Sequence, residues 1–222
     1  MNIAVCMSGS VRCIQNSLLS IKEIQKTGDV KLFIHTWNFT NNTVSGDLWF
    51  HSQDPKELAL ILSGVIAESI VIEHFESKLP FLIKARDNSN IVLTQNRRLN
   101  HIAATYSVFK SNELKKEYEK EHSCAFDIVY RIRTDSNIIN SDQLPTSPLT
   151  DLVIPKGFDW SGINDQFAYG SSTALDKYSS LFVNLSNLSG SYVNPEQLLA
   201  KHLQTQDLTI TRSDLLVKIR DL

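Results

Sequence analysis

No stretch of the 222-residue sequence approaches the roughly 20 consecutive apolar residues of a membrane-spanning helix, so no integral membrane segment is expected. The opening residues, Met1-Asn2-Ile3-Ala4-Val5-Cys6, also lack a basic stretch leading into a long apolar run, and the expectation is a soluble, cytoplasmic protein. Excess charge of either sign is missing too. With 22 Lys and Arg against 24 Asp and Glu, the formal net charge of −2 offers no basic surface for nucleic acid or an anionic membrane, so local basic clusters should have local jobs. Cysteine is scarce. Cys6, Cys13 and Cys124 are an odd number without paired spacing, which fits a reducing compartment and makes buried apolar thiols the expectation. Internal repeats, low-complexity tracts and linkers are absent, and residues 1–222 read as one domain. A chain of this length buries roughly 70% of its unfolded surface, enough to fold without a disulfide or structural metal.

What is present is a succession of strands and helices. Ile3 to Met7 is a short apolar run ended by Ser8-Gly9-Ser10, after which Ile14, Leu18, Leu19, Ile21 and Ile24 recur at helical spacing. Thr27-Gly28-Asp29 stops that helix, and Val30 to Trp37 reads as a second strand. The two strands of such a βαβ unit are parallel, which predicts an α/β fold with a central, mostly parallel sheet flanked by helices. Asp54-Pro55 opens a helix to about Ser63, and Ser69 to His74 gives a third strand. Residues 38–53 read as a loop at the strand ends, and residues 76–95 as an irregular connection. Apolar residues from Leu99 to Tyr118 then mark a long helix over about 96–121, leading to a strand over 126–135. Short strands are expected near 152–154, 167–169 and 208–211, and helices near 173–184 and 195–204.

Ligands of an open α/β sheet bind beyond the carboxyl ends of its parallel strands, where three clusters fall. In Ser8-Gly9-Ser10-Val11-Arg12, the glycine permits close backbone approach, the helix start offers unpaired N–H groups, and Arg12 adds an anion contact. That suits a phosphate; a plain βα turn is the bland alternative. In Arg131-Ile132-Arg133-Thr134-Asp135, strand alternation puts two guanidinium groups and a carboxylate on one face. Either they form an internal ion-pair network, or the arginines hold an anionic donor while Asp135 ligates a hard cation, Mg²⁺ or Mn²⁺, bridging its phosphates. In Asn164-Asp165-Gln166, Asp165 stands at a strand margin as a candidate general base or sugar ligand, with turn capping the alternative. Glu196, in the first turn of a helix opened by Asn194-Pro195, is a second candidate base or simply a complement to the helix dipole. His202 could ligate a metal or merely pack. Arg98 and Asn100, at the start of the long helix, could reach a nucleotide or sugar or form a solvated cap.

Taken in order, the strand running into Ser-Gly-x-x-Arg, the Phe33-Ile34-His35-Thr36-Trp37 strand, the long helix ending in Tyr118-Glu119, the segment from Phe126 to Asp135 and Asn164 to Ser171 resemble small bacterial and phage glycosyltransferases related to the WavE lipopolysaccharide-synthesis family. The resemblance spans most of the chain. It implies a single GT-A-like, Rossmann-like domain, a nucleotide-sugar donor (a UDP sugar first), a carbohydrate or glycoconjugate acceptor, a role in polysaccharide biosynthesis, and a divalent cation held by an Asp-x-Asp-type motif. The chain departs from that motif: Arg133 stands two residues before Asp135 and Asn137 two after. On this reading Ser8, Gly9, Ser10, Arg12, Arg98, Asn100, Arg131 and Arg133 bind the donor, Asp135 the metal, and Asp165 and Glu196 serve catalysis. Two rivals follow from the same residues: another phosphate-binding transferase, moving sugar phosphate or sulfate, and a non-catalytic nucleotide- or glycan-binding module.

Overall fold

The computed structural model describes residues 1–11, 14–38, 62–93 and 98–219. Most of the helix expected over 54–63, together with Arg12, Cys13 and most of the 38–53 loop, lies outside them. In chain order the elements are β1 (Asn2–Ser8), α1 (Ile14–Gln25), β2 (Asp29–Trp37), β3 (Ser69–Glu73), α2 (Phe75–Asp87), β4 (Asn90–Leu93), α3 (Arg98–His122), β5 (Ile128–Arg133) and β6 (Ser136–Ile138). There follow β7 (Leu152–Pro155), β8 (Phe167–Gly170), α4 (Ser172–Ser179), β9 (Ser189–Tyr192), α5 (Pro195–Gln204), β10 (Ile210–Ser213) and β11 (Val217–Ile219).

Seven strands form one sheet in the order β10-β7-β8-β5-β1-β2-β3. All neighbours are parallel except β8, which runs antiparallel to both β5 and β7. The chain winds outward from β1 to β3 and then returns to the other side of β1 with β5. This reversal creates a crevice between the carboxyl ends of β1 and β5, where ligands of such sheets bind. The class is the expected one: a Rossmann-like α/β arrangement with a mostly parallel central sheet between helices.

Both faces of the sheet are covered, which is why its central strands read as unbroken apolar runs. Ile3, Val5 and Met7 of β1 and Ile128, Tyr130 and Ile132 of β5 pack towards α1, whose Ile14, Ile21 and Ile24 are buried there. The opposite side chains, Ala4, Cys6, Phe33 and Val129, face Ile102, Ala103, Tyr106 and Leu114 of α3, Leu175 and Tyr178 of α4, and Leu198, Leu199 and Leu203 of α5. Cys6 is a buried thiol, as expected, and burial pushes its pKa up to about 12. Cys124 departs from expectation, since it is exposed in the turn after α3.

Three local differences from the sequence reading have physical causes. Up to residue 93, where description stops, the 76–95 segment is not an irregular connection but is built from α2 and β4. Pro80 lies inside α2, and this helix buries only Phe75 and Leu82 fully, so no apolar stripe marks it. The strand expected to run to Asp135 ends at Arg133, because the backbone turns at Thr134-Asp135 and resumes as β6, which pairs with β11. β4 and β9 form a second short ribbon, held by parallel pairing that no local pattern announces.

Candidate functional site

The carboxyl end of β1 is fixed from two sides. Gly9 has φ +120°, a conformation open to glycine and costly for other residues, and its N–H is shared between the His35 carbonyl (3.3 Å) and Ser107 Oγ of α3 (3.1 Å). Ser107 Oγ also lies 2.7 Å from His35 Nδ1, and His35 Nε2 faces Glu73 at 3.6 Å. Burial holds His35 neutral, lowering its pKa. Burial alone would raise Glu73, but His35 and the Tyr106 hydroxyl outweigh it and bring the carboxylate to about 2. The turn therefore rests on a Glu73–His35–Ser107 chain. Beyond it, Thr134 Oγ1 donates to the Ser10 carbonyl at 2.5 Å, tying the turn to the end of β5.

Parallel register sets Ser8 opposite Arg133 and Cys6 opposite Arg131, so these polar groups lie on the α3 side of the sheet. From the other flank, pairing of Ile132 with Phe167 brings Asp165, two residues before β8, beside the same strand end. Arg131 Nη1 donates to the Asp165 carbonyl. Glu196 comes from the first turn of α5. That turn starts with Asn194, whose side chain accepts Gln197 N–H at 2.9 Å, and continues with Pro195, whose missing N–H costs nothing there.

These groups sense one another. Burial first, and then the charge of Asp165, raise the Glu196 carboxyl to about 7 against the pull of Arg133. Burial opposes the charge on Arg133, but Asp135 foremost, then Asp165 and Glu196, more than restore it and raise its pKa. Tyr178, buried beneath Arg131, Asp165 and Glu196, is pushed up to about 12 by burial. A shallow cleft opens here and is lined in part by His101, Thr105, Arg131, Asp165, Tyr178 and Leu199. Buried polar atoms at this end of the sheet without a hydrogen-bond partner among the described residues include Ser8 Oγ, Arg131 Nε and Gln166 Oε1, and, behind the turn, His35 Nε2 and Glu73 Oε2.

Eight of the residues singled out by sequence, Ser8, Gly9, Ser10, Arg131, Arg133, Asp135, Asp165 and Glu196, are therefore gathered at the ends of β1 and β5. Arg12 lies outside the described residues, as does the side chain of Arg98. Asn100 is half-buried in the first turn of α3, where its neighbour His101 lines the cleft. His202 is buried, with Nε2 2.9 Å from the Lys177 carbonyl, and burial lowers its pKa; its place is in the packing of α5 on α4. Sequence reading missed His101, Thr105, Ser107 and Tyr178. For Ser107 a signal existed, because Ser107, Ser111 and Lys115 recur every four residues among the apolar positions of the long helix, marking a buried polar stripe.

A resident divalent cation does not fit the donor set as arranged. Arg133 donates from Nε to Asp135 Oδ1 (2.9 Å) and from Nη2 to Oδ2 (3.0 Å), and the Asp135 side chain is 3% exposed. Ser136 Oγ, the neighbouring oxygen, accepts from the Arg133 amide. Among the described residues no group of three or more His, Cys, Asp and Glu converges to hold a metal. No described helix is long and apolar enough to cross a membrane. Compared with the models of known protein families and with curated proteins, the chain finds no match.

Proposed function

We propose that the chain is a GT-A-type glycosyltransferase, related to the WavE group it resembles, which moves a sugar from a nucleoside diphosphate sugar to a hydroxyl of a carbohydrate or glycoconjugate. The observation that carries this reading is the meeting, at the switch point of the sheet, of one under-satisfied buried cation, Arg131, with the Arg133–Asp135 pair and the carboxylates of Asp165 and Glu196. Arginines beside the Gly9 turn suit a diphosphate, and a carboxyl poised at about 7 suits a base working near neutral pH. A UDP sugar is the first donor to test.

In a direct displacement the acceptor hydroxyl gives its proton to the Glu196 carboxylate, and its oxygen bonds to the anomeric carbon. The bond from that carbon to the β-phosphate oxygen breaks, and the diphosphate leaves with the electron pair. Arg131 and Arg133 stabilise the charge that develops on the leaving group. Asp165 keeps Glu196 basic and stands next in line as the proton acceptor. A divalent cation, Mn²⁺ or Mg²⁺, enters this proposal only as a requirement to be measured, with Asp135 as its candidate ligand.

A thermal-shift panel of UDP, GDP, CMP and their sugars, with and without Mn²⁺, tests the donor class; a ligand at 100 times its dissociation constant adds about 2.7 kcal/mol. Glu196→Gln should keep the shift given by UDP and lose donor turnover by roughly 10²- to 10⁴-fold. Neither stabilisation nor hydrolysis with any donor would end the transferase reading. The closed Arg133–Asp135 pair favours a second reading, a non-catalytic nucleotide- or glycan-binding module, for which the panel gives stabilisation without hydrolysis.

A further inference from the structure

Residues 156–166 connect β7 to β8 and leave the sheet at the same edge as the Gly9 turn, because β7 runs parallel to the strands of the β1 half of the sheet. Within five residues, Gly157 (φ +85°), Phe158 (+55°), Trp160 (+43°) and Ser161 (+66°) all adopt positive φ. For bulky aromatic residues this is a strained conformation, of the kind that persists only where the surroundings over-determine it. The strain brings no burial with it. Phe158 is 52% exposed and Trp160 65%, so neither ring is spent on the core.

The loop is nevertheless firmly held. Arg212 Nη2 of β10 bonds both oxygens of Asp159, at 2.7 and 3.0 Å, and Asp159 Oδ1 also accepts the Asn164 N–H at 2.9 Å. Asn194 Nδ2 donates to the Trp160 carbonyl at 2.8 Å, while the other end of the same amide caps the helix that carries Glu196. Gly162 lies so close to the Glu196 backbone that any Cβ would collide with it, and Ile163 N–H donates to the Glu196 carbonyl at 3.0 Å. Trp160 is thus fixed relative to Glu196 through two separate connections.

Position selects what the rings meet. In sheet order the loop lies two to three strands from β1, roughly 10–14 Å from the Gly9 turn at about 4.8 Å per strand. Glu196 and Asp165 stand on this side. Their negative charge disfavours a phosphate here and favours hydroxyl donors, and a flat, exposed indole offers an apolar face. A neutral ring with one C–H face and a rim of hydroxyls satisfies both demands. We infer that Trp160, flanked by Phe158, is the stacking floor of the acceptor subsite and takes the apolar face of a pyranose whose hydroxyl is turned towards Glu196. The acceptor role rests on the transferase reading; the recognition of a sugar ring does not.

The test follows the indole N–H resonances of the protein, with the Trp160 signal identified by its loss in Trp160→Phe. Methyl β-glucopyranoside, methyl β-galactopyranoside, N-acetylglucosamine and UDP are titrated separately. At least one saccharide should move the Trp160 signal while Trp37, buried in the core, stays still; UDP should leave it in place. Trp160→Ala should weaken that saccharide about tenfold, the scale of one aromatic stacking contact, without changing UDP stabilisation, and Trp160→Phe should recover most of the loss. No saccharide moving the signal, or UDP moving it, overturns the inference. A saccharide response with no UDP stabilisation and no donor hydrolysis keeps the platform and removes the transferase, so the two failures are distinct.

Discussion

Lys115 and Arg131 are both buried cations on the α3 side of the sheet, yet the protein treats them in opposite ways. The Lys115 ammonium, 0% exposed, donates to Ser172 Oγ and to Asp176 Oδ1 (2.9 Å) and lies 3.0 Å from Glu119 Oε2. Two carboxylates and a hydroxyl use its three protons, and the group is closed. Arg131, 6% exposed, bonds the Asp165 carbonyl, keeps Nε without a partner among the described residues, and lines the cleft. Burying a cation without full compensation is costly, so a fold retains such a group where a ligand can complete it. The comparison separates charge used to build the fold from charge left for binding.

The largest effect should come from breaking the closed cluster. Lys115→Met leaves Glu119 and Asp176 facing each other, part-buried, without their cation, and should cost about 3–5 kcal/mol. The unfolding midpoint in urea measures this. A loss below about 1 kcal/mol would mean that solvent already balances these carboxylates, and the contrast with Arg131 would collapse.

How much of this contrast was legible in the sequence depends on whether its cause is local. The β1 and β2 strands, the long helix and the Asn194-Pro195 helix start carry their own signals, because apolar period and capping chemistry act over a few residues. The segment from Arg131 to Asp135 stood out because charge interrupts an apolar strand. Its exact form did not: the turn at Thr134-Asp135 is set by pairing of β6 with β11, some eighty residues later, and it converts an expected row of three groups into a bidentate Arg133–Asp135 pair. The reversed β8 is equally non-local, since an isolated Phe-Ala-Tyr-Gly run has no marked direction. The Lys115 cluster was hidden because its partners Ser172 and Asp176 belong to a helix more than fifty residues away. Convergence of Asp165 and Glu196 with the arginines follows from the sheet order, which no segment encodes alone.

A smaller effect, of opposite sign, should arise at Glu196. The fold raises this carboxyl from 4.5 to about 7, so the native state binds a proton more tightly than the unfolded chain does. Stability from the protonated form is complete below pH 4.5 and is lost as the pH rises through 7. A shift of this size corresponds to at most about 3–4 kcal/mol, and water reaching the carboxyl should reduce it to about 1–2 kcal/mol. Glu196→Gln, which stays neutral, should therefore be more stable than the wild type above pH 7 and nearly equal to it near pH 4.5. Urea midpoints taken across that window check the sign; parallel curves for the two proteins would show that Glu196 is not perturbed.

The smallest change in stability, and the sharpest test of the comparison, is expected at Arg131. Its substitution by Met removes one hydrogen bond to a backbone carbonyl, but it also removes a guanidinium nitrogen that is buried without a partner, and the two changes oppose each other. Arg131→Met should alter the urea midpoint by no more than about 1 kcal/mol, against several for Lys115→Met. UDP stabilisation should nevertheless fall by about 2 kcal/mol, the scale of a hydrogen bond to a charged group. If Arg131→Met unfolds the protein as readily as Lys115→Met while UDP binding survives in the folded fraction, Arg131 belongs to the scaffold. The site at the ends of β1 and β5 would then have to hold its anion through the Gly9 turn and Arg133 alone.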